Sequence, residues 1–177
     1  SCVSLCPATF IDEIRRGHDE YPVFGAQAGT SKITEDHSKI FIGDEIYDSG
    51  VLIVAFCGKS LELKIDYNLG WIPLGHEFRV TDSDSKGFVS KLDNMLALQV
   101  YKHYLNVLPD DFFYENVCSF PLLTQSRNRE IAKVPIYFTK DGKLQFSMEL
   151  KKGTRVSLSY SKPEYLLRQT LAAANAM

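Results

Sequence analysis

The chain has no excess of positive charge, no long apolar run, no cysteine framework and none of the short motifs that mark nucleotide, metal or serine chemistry. Lys and Arg number 20 against 22 Asp and Glu, a formal charge of -2. The counterion-release term that drives sequence-independent nucleic-acid binding is therefore missing, and neither DNA nor RNA is expected as a partner. The longest apolar run, Val51 to Cys57 in GVLIVAFCG, falls well short of the roughly 20 residues a helix needs to cross a bilayer. No membrane insertion is expected. The opening SCVSLCPATF has neither a basic n-region nor a long apolar h-region, so it does not read as a signal peptide.

Cys2, Cys6, Cys57 and Cys118 show no CxxC spacing, and the chain is longer than the small secreted scaffolds that depend on disulfides. The expectation is free, buried thiols in a reducing cytoplasm. His18, His37, His76 and His103 stand apart from one another, which leaves neither a metal site nor a bound cofactor to expect. Cys57 closes an apolar run and Cys118 lies near Phe120, positions that read as packed thiols rather than activated nucleophiles. GxSxG, HExxH and P-loop patterns are absent, and GAQAG does not fit a dinucleotide fingerprint. No catalytic residue is assigned; the chain is expected not to be an enzyme, with a hydrolase as the least favoured alternative. The acidic stretches GDEIYD and TDSDSKG lack EF-hand spacing and read as solvated turns.

What is present is a globular composition, with 45% hydrophobic, 12% aromatic and 24% charged residues, enough to build a core. The 177 residues suit one large domain or two lobes. PATFIDEIRRGH places Phe10, Ile11 and Ile14 on one helical face, with Thr9 as N-cap. Val23 and Phe24 read as a short buried strand running into the small-residue turn GAQAG. Ile40 to Ile42 and Ile46 to Tyr47 flank a Gly43-Asp44-Glu45 turn, a hairpin signal. Val51 to Cys57 reads as a central strand covered on both faces, and Leu61 to Tyr67 as a half-exposed one.

Farther on, alternation around Phe78 and Val80, the turn DSDSKG and FVSKLD predict a second hairpin. From Asn94 to Leu105 the apolar residues Leu96, Ala97, Val100, Tyr101 and Tyr104 recur at helical spacing, with Asp93 or Asn94 as cap. PDDFFYENVCSFPLL is read as a short helix with an irregular extension to Pro121. Asp141-Gly142 between two alternating runs is the strongest hairpin signal in the chain. TRVSLSYS adds a strand, and Pro163 opens a C-terminal helix. The expected fold is α+β, with mostly antiparallel sheets, a few packed helices and two lobes.

Two stretches carry functional information. In GAQAGT, small residues let backbone N–H groups approach an anion, and Gln27 and Thr30 add neutral polar groups; a tight turn packed under the sheet explains the same residues. LGWIPLGHEFRVT holds the only Trp, Trp71, after Gly70. This stretch, followed by FVSKLDNMLALQVYKHYL, resembles the FIST family, named for F-box and intracellular signal transduction proteins. Gly70, Trp71, Pro73, Leu74, Gly75, Phe78, Val80, Thr81, Ala97, Leu98 and Tyr101 stand in the places of that pattern. PVFGAQAGT, KIFIGDEIYDSGVLIVAFCG, FPLL and DGKLQFSMELKKGTRVSL look like its flanking parts. Ala26, where a second Gly is usual, and Ala132-Lys133, where an Arg is frequent, depart from it.

The resemblance implies the rear of an N-terminal FIST domain over residues 1–75 and the front of a C-terminal one over 76–177, a fragment of a larger fold. It also implies a cytoplasmic sensory domain that binds a small polar ligand, such as an amino acid, and passes the signal to an attached output domain. The ligand-binding residues expected on this basis are Gly25, Gln27, Gly29, Thr30, Trp71 and Arg79. The loop N–H groups and Arg79 would take a carboxylate and Trp71 the ligand's side chain, although a core anchor is the commoner role for a residue of its type. The alternative is a protein-interaction module of the substrate-recruiting, F-box type, with Tyr104, Phe112, Phe113 and Tyr114 as contact residues.

Overall fold

A helix opening with proline and a hairpin turning on glycine are the regular elements among the described residues of the chain's first part. A computed structural model describes residues 7–17, 21–28, 38–65, 69–126 and 129–176, and the chain divides into two compact units, Ser1–Leu63 and Lys64–Met177. In the first unit α1 spans Pro7–Arg15, with Phe10, Ile11 and Ile14 half-buried as their spacing requires. The helix starts at Pro7, where a missing N–H costs nothing; Thr9 lies inside it and is not the cap. Strands β1 (Ile40–Ile42) and β2 (Glu45–Tyr47) pair antiparallel, Ile40 opposite Tyr47. The turn is Gly43-Asp44, with Gly43 at φ +58°, the positive value that a two-residue hairpin loop demands and glycine accepts without strain.

Three expected strands are not found. Val23 and Phe24 have no strand geometry and Phe24 is exposed. Residues 51–58 are likewise irregular, and Val51, Leu52, Ile53, Val54 and Phe56 are all exposed. Residues 61–65 are irregular too, and the end of that expected strand, 66 and 67, lies outside the described residues. The physical reason is pairing: a strand needs a neighbour for its N–H and C=O groups. Among the described residues of this unit only β1 and β2 pair, and they pair with each other. A continuous apolar run specifies burial, and no second partner edge is supplied. Cys57, expected as a buried thiol, is exposed.

The second unit is built around one long strand. β3 (Ile72–Ser83) is followed by β4 (Phe88–Leu92), β5 (Met95–Leu96), α2 (Ala97–Leu105), α3 (Phe113–Val117), β6 (Leu122–Ser126) and β7 (Arg129–Lys133). Then come β8 (Pro135–Phe138), β9 (Leu144–Phe146), β10 (Arg155–Tyr160) and α4 (Pro163–Ala176). The strands form an antiparallel sheet in the order β7-β6-β10-β3-β4-β9-β8, with β5 on β4. β3 pairs with β10 along its first part and with β4 along its last, where the register breaks between Val80 and Ser83. Such irregularities bend a strand and let one element serve two sheet directions. The α+β class with antiparallel sheets is therefore the observed one.

The core follows from alternation. Phe78 and Val80 of β3, Val89 and Leu92 of β4, Leu122 of β6, Leu144 of β9 and Val156 and Leu158 of β10 point inward and are buried. α2 covers them with Ala97, Val100 and Tyr101. Tyr104, expected on that face, is 47% exposed, one residue before the helix ends at Leu105, and its ring meets Phe78 edge-on at 5.4 Å. Asp93 and Asn94 do not cap α2: Met95 and Leu96 pair back onto β4 first, so the two residues form a hairpin turn. The Asp141-Gly142 hairpin forms as its sequence predicts, with Thr139 closing the loop onto Lys143 at 3.0 Å.

Candidate functional site

The outer face of the second unit's sheet carries the residues that alternation turns away from the core. On β3 these are Glu77 and Arg79, and on β10 Arg155 and Ser157. Arg155 stands opposite Arg79, and Ser157 opposite Glu77 on one side and Leu123 on the other. The β6–β10 pairing ends at Ser157 and Leu123; beyond it Gln125 and Arg155 line the same concavity, and Gln125 is itself opposite Glu130. From β3 to β7 this face thus carries Arg79, Arg155, Gln125 and Glu130.

A concavity of about 420 Å3 lies along this face, with Glu77, Leu123, Thr124, Gln125, Glu130 and Arg155 among its walls. Leu123, 4% exposed, gives it an apolar floor. Arg155 Nη1 donates to Glu77 Oε1 at 2.9 Å, and Thr124 Oγ1 donates to the Arg155 carbonyl at 2.8 Å, tying β6 to β10 beside the groove. Both ion-pair partners are more than half exposed, so the pair contributes little to stability. Two arginines directly opposite each other oppose pairing of their strands. Glu77 offsets part of that repulsion at Arg155. The Arg79 guanidinium has no ion-pair or hydrogen-bond partner among the described residues.

A second concavity, about 450 Å3, lies against α2 and β5 and is lined by Met95, Gln99, Lys102, His103 and Asn106. It draws its polar groups from one helix and presents no anionic side chain. Nearby, His76 packs edge-on against Phe78 at 4.3 Å and stacks toward Tyr104 at 6.2 Å. Its Nε2 is 3.8 Å from Asp93 Oδ2. Both side chains are open to solvent, which leaves a surface contact rather than an activated base. No three His, Cys, Asp or Glu side chains converge in metal-binding fashion among the described residues.

The expected ligand residues are distributed as follows. Gly25 and Gln27 are exposed and belong to an irregular segment of the first unit. Gly29 and Thr30 lie outside the described residues. Trp71 is half-buried just ahead of β3, and Arg79 is exposed within that strand. β3 is irregular between them, yet Ile72 and Arg79 still stand opposite Tyr160 and Arg155, five steps of β10 or about 17 Å apart, so the structure does not bring these two side chains to one small ligand. Gly70, before Trp71, is buried at φ +61°, and its carbonyl accepts from Ser161 Oγ at 3.1 Å. This joint anchors the start of β3 to the link between β10 and α4.

Glu77, Gln125, Glu130 and Arg155 were missed by sequence reasoning. Period-two alternation in GHEFRV and TRVSLSYS places Glu77 with Arg79, and Arg155 with Ser157, on common faces. Their adjacency rests on β3–β10 pairing across more than 70 residues, which no local signal carries. Of the aromatic contact residues expected for a protein partner, Tyr104 and Phe112 are exposed, Tyr114 is half-buried, and Phe113 is in the core.

Residues 4–95 match the family model described as FIST N domain, just over half of the chain. The match runs past the boundary between the two units and includes all of β3 and β4, so the β3 wall of the groove lies inside it and the β6, β7 and β10 walls beyond it. Comparison with curated proteins and with solved structures returns no match. No helix among the described residues is long and apolar enough to cross a membrane.

Proposed function

We propose, on the premise that this chain belongs to the FIST family of sensory signal-transduction domains, that it binds a small polar ligand in the outer groove of its second unit. An amino acid is one ligand of the right size and polarity. The observation that carries this reading is the groove itself: about 420 Å3, within the range of small-molecule sites, with two charge signs and an amide around an apolar floor. The output is passed to an attached signalling domain or a protein partner. A ligand alters that output only to the extent that it binds one arrangement of the protein better than another.

The role is non-enzymatic in this reading, and the compartment is the cytoplasm. A hydrolase activity of the chain that is lost on Cys57→Ala or Cys118→Ala would revive the enzyme. The alternative of a protein-interaction surface draws support from exposed Tyr104 and Phe112, 47% and 67% accessible, since aromatic anchors dominate contact energies.

A thermal-shift screen of the chain against amino acids and small organic acids tests the proposal. Saturable stabilisation that grows with the logarithm of ligand concentration is the expected result. A flat panel at millimolar ligand would count against ligand sensing and in favour of the interaction surface.

A further inference from the structure

We infer that the groove is polarised and takes a zwitterion whose charges are well separated, an ω-amino carboxylate, rather than an α-amino acid. This rests on the ligand-binding reading above and specifies its chemistry. At its β3 and β10 end the face is cationic: Arg155 lines the groove, and Arg79 stands opposite it just outside the lining. The β6 and β7 end is an amide facing a carboxylate, Gln125 opposite Glu130. Glu130 has no ion-pair partner among the described residues.

A carboxylate placed between the two arginines satisfies the unpartnered guanidinium of Arg79 and relieves the like-charge opposition of the two strands. Arg155 can hold it while keeping Glu77, because a guanidinium carries five N–H donors and the Glu77 contact is through Nη1. At the other end Glu130 accepts from an ammonium and the Gln125 amide oxygen can share it. Leu123, opposite Ser157 and two residues from Gln125 on the same strand, borders the methylene chain where it crosses β6.

The length of that chain follows from strand spacing. A carboxylate midway between Arg79 and Arg155 lies two and a half strand intervals from Glu130, about 12 Å. Subtracting one hydrogen-bond contact of about 3 Å at each end leaves about 6 Å between the ligand's charges. Glycine is too short to engage both ends. γ-Aminobutyrate and δ-aminovalerate reach.

Titration calorimetry of the full chain at low ionic strength tests this with glycine, β-alanine, γ-aminobutyrate, δ-aminovalerate and ε-aminocaproate, with butyrate and butylamine as single-charge controls. The expected result is an affinity maximum at γ-aminobutyrate or δ-aminovalerate. Arg155→Gln and Glu130→Gln should each weaken that ligand about tenfold, and Glu130→Gln should leave butyrate binding unchanged. Urea midpoints confirm folding, and Arg155→Lys, which keeps the charge, replaces Arg155→Gln if the latter unfolds; it should retain more affinity than any neutral variant. Glycine binding as tightly as the longer members, or a best ligand indifferent to both neutral variants, overturns the polarised seat while leaving ligand sensing intact. Silence across this series and across the broader amino-acid and organic-acid panel overturns both.

Discussion

Asp93 and Arg79 are bonded to each other in both directions: the Asp93 N–H donates to the Arg79 carbonyl at 2.7 Å, and the Arg79 N–H donates to Asp93 Oδ1 at 2.8 Å. Thr81 Oγ1 adds a bond to the Asp93 carbonyl. Asp93 achieves this from a left-handed backbone, φ 51°, a conformation that Asp and Asn tolerate and most residues do not. The clamp holds the β4–β5 turn against β3 and so fixes the strand position from which Arg79 projects. Asp93→Ala should cost about 1–3 kcal/mol, combining loss of a bond to a charged acceptor with backbone strain. Asp93→Asn keeps an acceptor and the backbone tolerance and should cost less than about 1 kcal/mol. Urea denaturation checks the ranking, and equal midpoints for the two variants would remove the clamp from the account.

Tyr101 is buried in the core, and its hydroxyl donates to the Phe120 carbonyl at 3.0 Å. Burial pushes its phenol well above the usual value near 10.0. With the folded value raised, the contribution is fully present below the unfolded phenol's pKa and is lost as pH rises from there towards the folded value. Tyr101→Phe should cost about 0.5–1.5 kcal/mol at neutral pH through the lost bond. Above about pH 10 the variant should close that gap, since it has no phenol to hold neutral. Urea midpoints of both proteins between neutral and alkaline pH decide it: a gap that stays constant contradicts the burial argument.

Gly70 and Gly75 both have positive φ, +61° and +92°, but a Cβ on Gly70 would overlap Leu166 Cδ2 while one on Gly75 meets nothing within 4 Å. Gly75→Ala should therefore show backbone strain alone, about 1–2 kcal/mol. Gly70→Ala should add displacement of Leu166 and loosen the joint with Ser161, for about 1–3 kcal/mol beyond that. Thermal unfolding of the two variants side by side measures the difference. A Gly75→Ala loss as large as that of Gly70→Ala would show that packing against α4 contributes nothing.

Local chemistry made much of the second unit legible. Asp141-Gly142 sits between alternating runs, and Gly142 takes the φ of +85° that the loop demands; Pro163 begins α4 because its missing N–H costs nothing there. The β6–β7 hairpin was not legible, because LLTQSRNREIAK offers no glycine at its turn and its second strand is polar. Val51 to Cys57 misled for a different reason. A β-branched apolar run reports a preference for burial, and pairing is a property of the neighbour. For the site, the sequence carried Arg79 through its place beside the Gly-Trp motif. It could not carry Arg155, Gln125 or Glu130, whose place near Arg79 depends on the non-local β3–β10 and β10–β6 pairings and on a hairpin without a turn signal.

The most direct test of ligand binding at the sheet groove is amide chemical-shift mapping on the isotopically labelled chain, titrated with the strongest stabiliser from the thermal-shift screen. Saturable shifts concentrated at Glu77, Gln125, Glu130, Arg155 and Ser157, with residues of β8, β9 and α4 unmoved, are the expected result. Shifts confined to Gly25, Gln27 and their neighbours, or to the α2 concavity around Gln99 and His103, would place the ligand elsewhere and contradict it.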